Sequence, residues 1–195
     1  YQKPGTPQVS ITDAWDADKK TYSLKMEQID GLFDIPIFID LFDRTGKKLD
    51  VSSLHVQMNS DGQKLIQFKT PTLDVKWEGL DSRPIVSLLR NFSAPILVSW
   101  NRPMDDYYFL AQNDDDTFNR NESLQLYWLN SFKTLYTHIV LEKKNEATEA
   151  VKPLTNLMQS ILNNTQLEEK VKAKLFGFPS NSVIMQFMSF LDRPG

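Results

Sequence analysis

Cysteine is missing from this 195-residue sequence, which removes disulfides, thiolate zinc fingers and cysteine nucleophiles together. Histidine is scarce: only His55 and His138 are present. A zinc hydrolase is most recognisable from two histidines one helical turn apart with a glutamate between them, and these two lie far apart in the chain. The seven glycines are scattered singly, so no phosphate-cradling or dinucleotide pattern can form, and no G-x-S-x-G elbow occurs. An excess of basic residues is also lacking. Lys and Arg total 22 against 25 Asp and Glu, a net charge of -3, which argues against a phosphate-backbone partner. No apolar run approaches the roughly 20 residues that span a bilayer, and the N-terminus has no basic stretch leading into an apolar one. A membrane partner is therefore not expected. The first residue, Tyr1, is not a methionine, so the chain is expected to be cut from something longer or already processed.

With 41% hydrophobic and 24% charged residues, the chain can bury a core. Up to Trp100 the apolar residues recur mostly at every second position, which is the period of a half-buried strand. Val9 and Ile11 alternate with Gln8, Ser10 and Thr12; Tyr22, Leu24 and Met26 alternate with Thr21, Ser23 and Lys25; Leu73, Val75 and Trp77 alternate with Asp74 and Lys76. Further runs at Ile37–Phe42, Leu65–Phe68, Ile85–Leu89 and Ile96–Trp100 bring the count to about seven, at the spacing of a sandwich. Asp43-Arg-Thr-Gly46 and Asn59-Ser-Asp-Gly62 place glycine where a turn needs positive φ.

Beyond Trp100 the period becomes helical. Asn101 is a candidate cap with Pro103 in the first turn, and the acidic stretch Asn113–Asp116 reads as a solvated link. Asn119 with Glu122 reads as a capping box opening the longest helix, whose face carries Leu124, Trp128, Phe132, Leu135, Tyr136 and Ile139 and whose end is marked by Lys143 and Lys144. Shorter helices are expected from about Pro153, after Thr165, and near Ser180 or Ser182. In the last of these, Val183, Ile184, Met185, Phe187, Met188, Phe190 and Leu191 are apolar nearly all the way round. A repeat-like array needs a polar terminal cap, so the array is expected to continue beyond Gly195.

Each constellation that could carry chemistry has a plainer reading. His138 and Glu142, four apart on one helical face, read as a solvated pair rather than half a metal site. Asp16, Asp18 and Glu27 occupy positions one, three and twelve of a calcium loop, but Lys20 and Thr21 stand where an oxygen ligand and the obligatory glycine belong, so a hairpin turn is expected. Trp77, Trp100 and Trp128 continue apolar patterns and read as core; Trp15, beside a turn, is the one tryptophan with a fair chance of exposure. Asn91, Asn121 and Asn163 match the glycosylation acceptor pattern and are read as coincidental. No catalytic, cofactor-binding or metal-binding residue is expected in this chain.

Several motifs in order resemble bacterial aminopeptidase N, a zinc alanyl aminopeptidase family. They are Pro4-Gly-Thr-Pro7 opening the first strand, Ile35-Pro-Ile-Phe-Ile-Asp-Leu-Phe-Asp43 followed by Gly46, Asn91-Phe-Ser-Ala-Pro-Ile96, and Asn113-Asp114 ahead of Phe118-Asn-Arg120. Phe178-Pro-Ser180 through Asp192-Arg-Pro194 is similar to the early part of that family's C-terminal helical domain. The resemblance implies a metalloprotease whose thermolysin-like catalytic domain precedes a small β-sandwich and a helical domain that covers the active site. The family's zinc-binding H-E-x-x-H helix and its G-A-M-E-N motif have no counterpart here. Two departures fall at the junction: Asn121 follows Arg120 where the family tends to have an aromatic, and Asp114–Asp116 lengthens the link.

The expected fold is an all-β, Ig-like sandwich over residues 1–100 followed by the first helices of an all-α, solenoid-like array over 101–195. The expected role is that of a non-catalytic segment of a cytoplasmic aminopeptidase. Its partners would be the upstream catalytic domain and the remaining helices of the same chain; zinc and peptide substrates would belong to the parent. The alternative is an independent Ig-like module binding a glycan or protein, with Trp15 as the contact to test and the helices mediating dimerisation. A self-sufficient hydrolase is poorly supported by two misplaced histidines.

Overall fold

A computed structural model describes residues 6–177 and divides them into two units, one ending at Asp106 and one starting at Tyr107. The first unit holds eight strands in two four-stranded sheets. They are β1 (Gln8–Asp16), β2 (Thr21–Gln28), β3 (Ile35–Phe42), β4 (Gln57–Met58), β5 (Lys64–Phe68), β6 (Thr72–Trp77), β7 (Ile85–Leu88) and β8 (Leu97–Trp100). The sheet orders are β6-β2-β1-β8 and β4-β5-β3-β7, and every pairing is antiparallel except that of β1 with β8. The sandwich expected from the alternation is therefore present; the two-residue β4 is too short to leave a periodic trace.

Register explains which residues are inside. Trp15 lies opposite Tyr22, which lies opposite Trp77, and Ile11 lies opposite Met26, which lies opposite Leu73. Because side chains alternate between faces, these rows stack into one core in which Tyr22, Leu24, Met26, Val75 and Trp77 are at most 1% exposed. Each such side chain contributes about 1.5–3 kcal/mol by leaving water. Trp15, the tryptophan whose exposure the sequence left open, packs partly buried against this core. The turn after β3 uses Gly46 at φ 94°, with the Asp43 carboxylate accepting hydrogen bonds from the Thr45 amide (2.8 Å), the Thr45 hydroxyl (2.6 Å) and the Lys47 amide (3.0 Å).

The described helices are α1 (Met104–Asn113), α2 (Thr117–Val140), α3 (Lys144–Asn163) and α4 (Glu169–Leu175). Four boundaries differ from the sequence reading. The cap of α2 is Asp116, whose carboxylate accepts from the Asn119 amide at 2.8 Å, so Asn119 sits inside the helix. Lys143 does not close α2 but precedes the first residue of α3, and Pro153 lies inside α3 rather than at its start. The array tolerates the lost N–H because Leu154, Leu157 and Ile161 remain buried on one face across the proline. Likewise α4 begins at Glu169, a turn later than a Thr165 cap would give. The expected final apolar helix lies outside the described residues.

Candidate functional site: a buried charge cluster at the end of the sandwich

β1 presents Val9, Ile11, Asp13 and Trp15 to one face, so a carboxylate takes a position in an otherwise apolar row. Its side chain is 12% exposed and is matched by two donors brought from distant parts of the chain. Arg83, just before β7, donates to Asp13 at 3.1 Å, and the indole nitrogen of Trp100, at the end of β8, donates at 2.8 Å. The same guanidinium reaches in the other direction to Asp106, in the first turn of α1, at 2.9 and 3.1 Å. Asp106 is 1% exposed and is also approached by Arg102 at 3.6 Å and Arg44 at 3.7 Å. Arg102 lies over the Trp100 ring, 4.4 Å from its centroid, and its guanidinium donates to the Val86 carbonyl.

Two carboxylates thus stand among three guanidinium groups. Burial disfavours the charged form of Arg83, but Asp106 and the hydrogen bonds to Asp106 and Asp13 outweigh it and raise its pKa above the ordinary guanidinium value. Tyr22 projects into the same region. Burial first, and the Asp13 charge second, push its phenol well above the usual range, against the opposing influence of Arg83 and Arg102, so it stays a neutral hydroxyl. The paired charges fix β1, β7, β8 and the first turn of α1 to one another.

A second charged cleft, of about 430 Å³, opens beside β3. Asp40 meets Lys48 at 2.9 Å, Arg90 at 3.2 Å and Lys64 at 3.9 Å. The adjoining 3₁₀ turn, Arg90–Phe92, carries positive φ at Asn91 and Phe92, preceded by Leu89 at φ 59°. In the helical unit, Asp114 is fully buried and Asp116 is 5% exposed while Asn113 and Asp115 are exposed, so the acidic link expected to be solvated is internal at two of its four residues. The Asp114 carboxylate accepts from the Asp116 amide at 2.9 Å, which shapes the turn that Asp116 then caps. Nearby Arg120 is pulled below its usual pKa by burial, with Asp114 and Asp115 acting in the opposite sense.

The other residues weighed from sequence are separated. His55 lies exposed in the β3–β4 loop, whereas His138 is near the end of α2 and meets Glu146 of α3 at 3.2 Å rather than Glu142. Asp16 accepts from the Lys19 amide at 3.0 Å in the β1–β2 hairpin, where Asp18 and Glu27 are exposed. Among the described residues no three His, Asp or Glu side chains gather as metal ligands. Asp13, Arg83, Arg102 and Asp106 went unnoticed in the sequence. The one local signal was Asp13 itself, a charge in the buried phase of a strand.

Comparison with known families decides the lineage. A domain of unknown function described as DUF3458, with an Ig-like fold, matches residues 5–101, and its companion DUF3458_C, described as ARM repeats, matches residues 104–194. The chain thus pairs a DUF3458 domain with a DUF3458_C domain. This DUF3458 segment is 22% identical to an aminopeptidase N of Haemophilus influenzae over its full length, which is 23% of that relative. It is 30% identical to an aminopeptidase N of Caulobacter vibrioides over 62% of this chain and 14% of that one. It is 19% identical to aminopeptidase N of Escherichia coli over 98% of this chain and 22% of that one. A crystal structure of Legionella pneumophila aminopeptidase A in complex with aspartic acid superposes with a TM-score of 0.74 at 26% identity, covering 93% of this chain and 19% of that protein. The segment thus spans less than a quarter of the length of each of these relatives. Among the described residues no helix is long and apolar enough to cross a membrane.

Proposed function

We propose that this DUF3458 segment is a non-catalytic part of a zinc-dependent aminopeptidase, joining and spacing the parts of a longer chain around an active site that lies elsewhere. The observation that carries this reading is the likeness, along nearly the whole segment, to proteins named aminopeptidase of which it covers less than a quarter. The geometry supports a mechanical role. The Asp13–Arg83–Asp106 cluster ties both sheets' ends to the first turn of α1 through part-buried, charge-assisted bonds of 2.9–3.1 Å, all within the sandwich unit.

Zinc, the group the family implies, does not fit the side chains described here: no triad of ligands converges, and the two histidines are held in separate units. In this reading zinc and the peptide-cleaving chemistry belong to the parent's catalytic part, on the N-terminal side of the sandwich, and the remaining helices belong to its C-terminal side. Substrates are peptides with a free N-terminus, and a cytoplasmic location is part of the same proposal.

The coding sequence upstream of Tyr1 tests this directly. The reading expects an H-E-x-x-H motif in the same open reading frame. A native start at Tyr1 with no such motif in frame would overturn it and favour a free-standing module.

A further inference from the structure

β6 is the outermost strand of the order β6-β2-β1-β8, so one side of its backbone faces away from the sheet. Among the described residues that backbone is hydrogen-bonded to β2 and, at the Thr72 carbonyl, to the Thr70 hydroxyl at 2.6 Å. Sheets commonly blunt such an edge with a bulge, a proline, charged side chains or a covering segment. β6 has no proline, and its register with β2 runs unbroken from Tyr22 opposite Trp77 to Glu27 opposite Thr72. The 50–55 loop stands beside it without a backbone hydrogen bond to it, and the two line a cleft of about 930 Å³. Leu49, Val51 and Val56 pack against the core, so this far wall is anchored at both ends, whereas Leu54 at its tip is 90% exposed.

The cleft carries a charge imbalance. Val75 and Trp77 turn inward and are buried, so Asp74 and Lys76 turn outward, with Glu78 just beyond the strand. With Asp50 from the loop, three carboxylates line the cleft against the one ammonium of Lys76. Lys76 lies 3.9 Å from Glu78, which leaves Asp50 and Asp74 without an ion-pair partner among the described residues, although Lys25 stands opposite Asp74 in the register. The Ser53 hydroxyl, in the same lining, is buried without a hydrogen-bond partner, which a peptide group can supply.

We propose that the β6 edge takes up an extended peptide segment of a partner, bearing lysine or arginine at alternate positions, as an added strand. Such a strand lies about 4.8 Å from its neighbour, and the six residues of β6 offer about 20 Å of edge. Main-chain hydrogen bonds to β6 supply affinity, and the basic side chains meet Asp74 and Asp50. Leu54 offers an apolar contact to the side chains between them. A second copy of this chain fits less well, because it would bring a whole four-stranded sheet into a cleft whose other wall is the loop. The inference stands on the edge and its cleft, independently of the aminopeptidase reading.

Three six-residue peptides, blocked at both ends and labelled with fluorescein, test this on the full 195-residue chain. One alternates lysine with valine, one replaces each lysine by glutamate, and one replaces each valine by proline, keeping the charge but losing the ladder donors. By fluorescence anisotropy the lysine–valine peptide should bind at least about ten-fold more tightly than either control, and it should slow amide hydrogen exchange in 72–77. Asp50→Asn combined with Asp74→Asn should weaken it by at least about three-fold with the near-ultraviolet circular dichroism unchanged. Equal binding of the proline peptide would overturn strand addition in favour of charge attraction alone, and equal binding of the glutamate peptide would overturn the assigned ligand class. Unchanged exchange in 72–77 on binding would overturn the site. Protection of those amides that rises with protein concentration in the absence of peptide would also overturn the proposal, assigning the edge to a second copy.

Discussion

Replacing Asp106 by asparagine keeps the size of the side chain and removes its charge. In the wild-type chain that carboxylate is 1% exposed, accepts two hydrogen bonds from Arg83, and has Arg102 and Arg44 within 3.7 Å. Loss of one partner of a fully buried ion pair costs about 3–5 kcal/mol, chiefly because the other charge is left without compensation. Here the penalty is softened. Arg83 is 21% exposed and keeps Asp13 at 3.1 Å, and Arg44 is 51% exposed and can turn to water. Arg102, 6% exposed, has no such outlet and relies on Trp100 and the Val86 carbonyl. The expected loss for Asp106→Asn is therefore about 2–4 kcal/mol of sandwich stability. Urea unfolding followed by near-ultraviolet circular dichroism of the core tryptophans reads it, with an unchanged slope required for a like-for-like comparison. The double change Arg83→Met with Asp106→Leu removes both charges of the central pair and should recover at least half of the loss. A single-variant cost under about 0.5 kcal/mol, the range of ordinary surface positions, would refute the view that this cluster braces the end of the sandwich.

Two further outcomes rest on local geometry. Asp43 is held below the ordinary carboxylate value of 3.8, first by the Thr45 hydroxyl and then by the backbone amides of Lys47 and Thr45. A depressed folded value means that its stabilising contribution is present above pH 3.8 and is lost as pH falls through the folded value; carboxyl NMR titration should show a midpoint below 3.8 in the wild type, and one at or above 3.8 would contradict the turn geometry. Asp116→Ala removes the α2 cap and should cost about 1–2 kcal/mol, the upper part of the capping range because the group is buried, whereas Asn119→Ala should leave that cap's hydrogen bond in place; thermal unfolding of the two variants compares them.

Much of the sandwich was legible because its signals are local. Alternation in β1, β2 and β6 identified Val9, Ile11, Tyr22, Leu24, Met26, Val75 and Trp77 as inward residues, and all are at most 1–2% exposed. The long helix was legible for the same reason, through the spacing of Leu124, Trp128, Phe132 and Leu135. Its start was not, because Asp116 and Asn119 are both acceptable caps three residues apart, and only the burial of the Asp114–Asp116 turn decides between them. Pro153 misled because a proline usually opens a helix, yet packing of Leu154, Leu157 and Ile161 carries α3 through it. The charge cluster was hidden by distance along the chain: Asp13, Arg83 and Asp106 meet across separations of 70 and 23 residues, which no local period reports. The family resemblance carried what periodicity could not, namely the link to aminopeptidases, and it did so through motifs spread along the chain rather than through any catalytic residue.

The central claim is that this segment serves an active site it does not contain. Zinc content, measured by atomic absorption, together with hydrolysis of alanine p-nitroanilide, separates the possibilities when the 195-residue chain and its full-length parent are purified side by side. The account predicts stoichiometric zinc and release of the chromophore by the parent, and neither by the segment alone. Stoichiometric zinc bound by the segment, or turnover by it without the rest of the parent, would contradict it.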